Sequence, residues 1–211
     1  GKMIGVVTGV QGMRWYEVTV TGQESHTGAT PMLLRKNALL GASRMIEAIH
    51  QVGLAHLPGV ASVGLIENRP NSRNVVPGEV FFTVDLRHPD EAVLDKMEAA
   101  FRAALGPIAV AEKLAFEEKC IWKSPAVKFN PELIECVRKG AGQAGFDMRE
   151  MASGAGHDAA YIARVAPTTM IFVPCLGGIS HNEAESTTLE ECGAGSQVLL
   201  NAVLEYDQKL A

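Results

Sequence analysis

No apolar run in the 211 residues approaches the ~20 needed to cross a bilayer as a helix, which argues against a helical membrane span. Basic charge is also sparse. Lys and Arg form no cluster, and the net charge is −5, so the electrostatic footprint of a nucleic-acid binder is missing. Cysteine occurs four times, at Cys120, Cys136, Cys175 and Cys192, with no CxxC pair. Thiols this far apart read as reduced side chains of a cytoplasmic protein, not as a disulfide framework. The opening GKMIGVV lacks a signal-peptide layout. Internal repeats and low-complexity stretches are absent. What is present is a chain 47% hydrophobic, enough for a real core in one or two domains.

The first half alternates in ways that mark its elements. In RWYEVTVTG (14–22), Tyr16, Val18 and Val20 face one way and Glu17, Thr19 and Thr21 the other, a half-buried strand. Thr30 and Pro31 offer an N-cap and a first-turn proline. Ala38, Ala42, Met45, Ile46 and Ile49 follow at helical spacing, predicting a helix over 31–52. A strand is expected over 59–67 and another over 79–87. Pro89 begins a second helix that Gly106-Pro107 should end, and a last strand fits within 108–122. The order β-α-β-β-α-β is that of the ferredoxin-like split βαβ fold.

The second half reads differently. Asn130-Pro131 starts a helix that ends near Gly145, and a short strand follows around 147–152. GHDAAYIARV (156–165) suits a short helix. TTMIFVP (168–174) has the unbroken apolar character of a strand buried on both faces. Thr188 and Glu191 form a capping-box pattern before a long final helix. Alternating helices and strands suggest an open α/β sheet, but one of so few strands leaves an exposed edge.

Polar clusters sit where these elements end. His26, in GQESHTGATPM, is either a loop histidine bonded to backbone or a donor that polarises a substrate carbonyl. Arg87 alternates onto the face of Asp85. It is either that residue's salt-bridge partner or a clamp for a substrate carboxylate, a role that suits a planar guanidinium. Asn74 precedes the same strand; Arg73 beside it reads as a solvated turn residue. In SGAGHDA (153–159), Gly154 and Gly156 flank Ala155 and would let backbone amides approach a ligand closely. His157 and Asp158 open a helix there. His181 follows the apolar strand, the usual ligand position in an α/β sheet, with Glu183 and Glu185 nearby. His50, His56 and His88 read as helix-surface, loop and turn residues.

Taken together, GVVTGVQGMRWYEVTVTGQESHTGATPM, PNSRNVVPGEVFFTVDLRHPD, SGAGHDA and ISHNEAES resemble the aminoacylase/carboxypeptidase superfamily of two-metal hydrolases. The nearest branch is the amidase–hydantoinase–carbamoylase group, with its N-carbamoyl-L-amino acid hydrolases, β-ureidopropionases and allantoate amidohydrolases. The motifs run in family order along almost the whole chain. HTGATPM departs from the usual HAGxTPM at Thr27.

The resemblance implies an α+β chain. Residues 10–118 would form a ferredoxin-like lid and dimerisation domain, and 119–211 the C-terminal part of an α/β metallohydrolase catalytic domain, with 1–9 a lead-in from that same domain. His181 matches the family's last metal ligand, and His26 the lid histidine that hydrogen-bonds the scissile group, often in the partner subunit. Asn74 and Arg87 match the residues holding the substrate carboxylate, and Gly154, Ala155 and Gly156 lie near the substrate. Two divalent metals per site (Zn, Mn, Co or Ni) are implied for the complete enzyme. The remaining ligands and the general-base glutamate have no counterpart in this chain, so it is expected to be inactive alone, and whether it binds metal stays open. The implied partners are a carboxylate-bearing small molecule and a second copy of the chain, with no nucleic acid or membrane. The alternative is a non-catalytic ferredoxin-like module for dimerisation or small-molecule binding. An RNA-recognition module is disfavoured by the acidic charge and the lack of a basic, aromatic strand pattern.

Overall fold

The computed structural model describes residues 1–210. In chain order the strands and helices are β1 (Ile4–Val10), β2 (Gly12–Thr21), β3 (Ser25–His26), α1 (Ala38–Ala55), β4 (Val60–Ser62), β5 (Ile66–Arg69), β6 (Val75–Val76) and β7 (Glu79–His88). There follow α2 (Glu91–Glu112), β8 (Ala115–Ser124), β9 (Val127–Lys128), α3 (Pro131–Gln143), β10 (Met148–Ser153), α4 (Asp158–Ile162), β11 (Met170–Phe172) and α5 (Leu189–Leu210). The chain is mixed α/β and divides into two compact units. One is Gly12–Ala126; the other is Gly1–Gln11 with the chain from Val127 onward. The boundaries expected at 9/10 and 118/119 fall inside β1 and β8, because these strands run unbroken to Val10 and Ser124. Among the described residues no helix is long and apolar enough to cross a membrane.

Gly12–Ala126, called the inner unit because the other unit's segments flank it in sequence (the outer unit), is an antiparallel sheet in the order β4-β7-β2-β8, with β5 also paired to β7. Tyr16, Val18 and Val20 of β2 and Val80, Phe82, Val84 and Leu86 of β7 share one face and are fully buried. Met45 and Ile49 of α1, and Leu94, Met97, Phe101 and Leu105 of α2, complete that core. Removing each such side chain from water contributes roughly 1.5–3 kcal/mol.

Three expected boundaries change, each for a local reason. α1 begins at Ala38, not Pro31. Lys36 O accepts from Gln23 N at 2.9 Å, which holds the preceding segment away from helix; Met32–Leu34 make only a 3-10 turn. The cap is Asn37, whose side chain accepts from Leu39 N and Leu40 N. Gly22 is required here, since a Cβ would stand 2.1 Å from Lys36 O. The strand expected over 59–67 is two strands, because the register against β7 slips by one residue across Val63–Leu65, a bulge. Gly106-Pro107 does not end α2. Leu105 and Ala109 lie buried on one face on either side of Pro107, and their packing carries the helix to Glu112, so the last strand starts only at Ala115.

A buried ion cluster closes one end of this unit. Arg14 is 5% exposed and meets Glu91 at 2.7 Å, Asp95 at 2.5 Å, and Glu98. Glu98 also takes Lys123 at 2.9 Å and Arg102 at 3.3 Å. Burial alone would raise the Glu98 carboxyl, but Tyr16, Lys123 and Arg14 facing it outweigh that and hold it at about 2.

In the outer unit β1 is central. β10 pairs with it in parallel; β11 and β9 pair antiparallel. Asn130 caps α3 by accepting from Glu132 N and Leu133 N. Thr188 and Glu191 make the reciprocal capping box of α5, with Thr188 N donating to Glu191 at 2.8 Å and Glu191 N to Thr188 Oγ1 at 3.2 Å. β11 departs from expectation. It is three residues long and half-buried rather than buried on both faces, because within the described residues β1 is the one strand it pairs with. Beside it, α3 and α5 border an apolar groove of about 790 Å³ lined by Leu133, Val137, Met170, Ile171, Leu199 and Val203.

Candidate functional site

His26 and Asn74 are brought together by a short ribbon beyond the end of the inner sheet. β3 pairs antiparallel with β6, with His26 opposite Val75, and Thr27 N donates to the Asn74 carbonyl at 3.1 Å. The His26 ring is exposed and its Nδ1 accepts from Gly28 N at 3.0 Å and Ala29 N at 3.2 Å. The backbone-bonded reading of His26 describes this geometry. The ring is bonded to backbone, and because Nδ1 is an acceptor, the neutral ring carries its proton on Nε2 as an oriented donor. The Asn74 side chain is exposed, and its Oδ1 accepts from Ser72 Oγ at 2.7 Å.

Arg87 stands elsewhere on the same unit. It pairs with Met13 of β2 and Val60 of β4 near the far end of β7. β7 starts at Glu79, on the side of the ribbon that carries Asn74. Eight residues along a strand rise about 26 Å, so Arg87 is not brought to His26 and Asn74 within one chain. Its Nε lies 3.0 Å from Asp85 Oδ1 and its Nη2 2.6 Å from Asp85 Oδ2, a fork that fixes the guanidinium plane.

In the outer unit, residues 154–156 form an exposed turn between β10 and α4. A Cβ at Gly154 would meet nothing within 4 Å. The turn is anchored by Ser153, which is 2% exposed and whose Oγ lies 2.7 Å from His157 Nε2. Sequence reading passes over Ser153, because a single serine at a strand end carries no periodic signal. The position that could have flagged it is a hydroxyl at the mouth of a Gly-Ala-Gly turn, poised to bond backbone two residues on. His181 lies in a fully exposed stretch with φ 55°, and its N–H donates to Glu185 Oε2 at 3.0 Å. That contact engages Glu185 with backbone. Among the described residues no group of three or more His, Cys, Asp or Glu is placed to hold a metal ion. A catalytic zinc takes about three protein ligands, so these residues do not by themselves fit the metal pair. His56 Nδ1 lies 2.8 Å from the Val52 carbonyl, and buried His88 accepts from Asp90 N at 2.8 Å; both are engaged within the fold.

By the match of residues 16–205 to the family model, the chain belongs to peptidase family M20/M25/M40. Among its curated relatives is an N-carbamoyl-L-amino-acid amidohydrolase of Rhizobium meliloti, 48% identical over 205 residues, covering 97% of this chain and 49% of the relative. Another is an allantoate amidohydrolase of Escherichia coli strain K12, 36% identical over 200 residues, covering 94% and 49%. A crystal structure of an amidase of the hydantoinase/carbamoylase family from Burkholderia multivorans superimposes with a TM-score of 0.94 at 53% identity, over 97% of this chain and 50% of that one. The chain thus spans about half the length of the curated relatives it matches.

Proposed function

We propose that this chain forms part of a metal-dependent amidohydrolase that cleaves the C–N bond of N-carbamoyl-L-amino acids or related ureido acids. The carrying observation is His26: two backbone amides occupy Nδ1, leaving Nε2–H as a held donor beside Asn74. Aimed at a substrate carbonyl, that donor gains strength as negative charge develops on the oxygen, so it favours the tetrahedral state over the ground state. The names of the relatives support the substrate class. In this reading the inner unit acts as a ferredoxin-like lid, its strand order matching that fold. Arg87, its plane fixed by Asp85, binds the substrate carboxylate with help from Asn74. Gly154, Ala155 and Gly156 lie near the substrate. His181 would be one ligand of a pair of divalent ions (Zn, Mn, Co or Ni), whose chemistry would be to activate a water. The other ligands and the general base come from outside this chain, which is therefore inactive alone.

An N-carbamoyl amino acid spans roughly 7 Å, about two residues of chain. The far longer separation of Arg87 from His26 and Asn74 favours a homodimer, in which one copy gives Arg87 and its partner gives His26 and Asn74 to the same substrate. The experiment is subunit mixing in the complete enzyme. His26→Ala should lower kcat about 10²–10³-fold, the scale of losing one oxyanion donor. Arg87→Ala should raise KM for carboxylate substrates. Mixing the two variants should restore activity, because one site per mixed dimer is intact. No recovery on mixing, with mixed dimers verified, sinks the shared site. Failure of the unmutated complete enzyme to release ammonia from any ureido acid sinks the substrate class.

A further inference from the structure

Between β10 and α4, one buried hydroxyl holds the turn that carries Gly154, Ala155 and Gly156. Ser153 is the last residue of β10, paired with Val10 of β1, and its carbonyl accepts from Gln11 N at 2.9 Å. The sheet therefore fixes its backbone. Its Oγ has three partners: Ala155 N at 3.1 Å, Ala155 O at 3.2 Å and His157 Nε2 at 2.7 Å. A serine hydroxyl has one proton and two lone pairs. Ala155 N can only donate and Ala155 O can only accept. All three contacts are satisfied together in one arrangement: Ser153 donates to Ala155 O, and Oγ accepts from Ala155 N and from His157 Nε2–H. His157 occupies the N-cap position of α4 yet makes no side-chain cap bond, and its ring lies 5.6 Å from that of Phe172 on β11. The imidazole is thus committed to Ser153, and the turn is tied at its start, its middle and its end.

We infer that Ser153 is a positioning residue. Its hydroxyl fixes His157 in the Nε2–H tautomer and holds the backbone of residues 154–156 in one conformation for substrate. The inference rests on the proposed placement of that turn at the substrate, and two readouts separate them.

The first needs no activity. Nitrogen NMR of the chain with ¹⁵N-labelled histidine, at a pH where the ring is neutral, should show His157 as the Nε2–H tautomer. Ser153→Ala should convert it to a mixture, and Ser153→Thr should restore it. An Nδ1–H ring in the unmutated chain overturns the inference even if Ser153→Ala fails to fold; so does a tautomer unchanged by Ser153→Ala. The second readout is kinetic, in the complete enzyme. Ser153→Ala should raise KM for an N-carbamoyl amino acid about tenfold, the scale of one net hydrogen bond, with kcat less affected and Ser153→Thr restoring KM. If the tautomer responds and KM does not, Ser153 holds the turn as inferred, and the placement of 154–156 at the substrate is what fails.

Discussion

The two units differ in how their long helices are covered. In the inner unit α1 and α2 cover one face of the sheet, and Tyr16, Phe82 and Phe101 are sealed from water, while Leu33 and Val110 stand exposed away from that core. The outer unit has a genuine core around Val6, Val7, Val137 and Val198, yet α5 leaves Leu199 57% and Val203 56% exposed along the groove beside β11. Regular elements alone therefore do not make a self-sufficient fold; each apolar stripe must also meet another.

The largest consequence is a difference in local stability. Amide exchange in β2 and β7, at Val18 and Phe82, should be slower than at Ile171 in β11 by about a thousandfold or more, roughly 4 kcal/mol of opening free energy. Comparable protection in both units would break the comparison. The groove should also bind an apolar dye and promote self-association. Val203→Asp should weaken both without slowing or speeding exchange at Phe82.

A smaller effect tests the buried ion cluster of the inner unit. The folded Glu98 carboxyl lies at about 2 against an ordinary 4.5. A depressed carboxyl contributes stability above its unfolded value and loses it as pH falls toward the folded one. The shift corresponds to at most about 3 kcal/mol. Glu98→Gln should lower stability at pH 7 by up to that amount. The gap from the unmutated protein should close between pH 4.5 and 2, read by denaturant unfolding at a series of pH values. A gap that persists unchanged at pH 2 would mean packing, not charge, is what Glu98 supplies.

How much of this was legible in the residues themselves follows from where the determining interactions lie. Alternation in β2 and β7 and the helical stripes of α1 and α2 report burial directly, so those elements read cleanly. Asn130 and the Thr188–Glu191 box announce helix starts because capping is local chemistry. What misled was long-range or cooperative. Pro31 looked like a helix start until Gln23, far back in the chain, claimed the Lys36 carbonyl. Pro107 looked like a stop until Leu105 and Ala109 anchored both sides of it. At the candidate site, residue types and motif order pointed to His26, Asn74 and Arg87. No periodicity could tell that the first two share a ribbon while the third lies at the other end of β7. Ser153 went unseen because its importance is a property of three partners meeting at one oxygen.

The smallest effect compares like with like. Asn37 in the inner unit and Asn130 in the outer each cap a helix by accepting two backbone amides, at 3.1 and 3.3 Å for Asn37 and 2.9 and 3.0 Å for Asn130. Replacement of either by Ala should cost about 1 kcal/mol. Pro131 follows Asn130 at the first helical position, where its fixed φ already favours helix, so α3 should lose less than α1. If the units unfold separately, Asn37→Ala will speed amide exchange only in the inner unit and Asn130→Ala only in the outer. Uniform acceleration across both units from either single substitution would show that they open together, and the contrast in their surfaces would then carry no difference in stability.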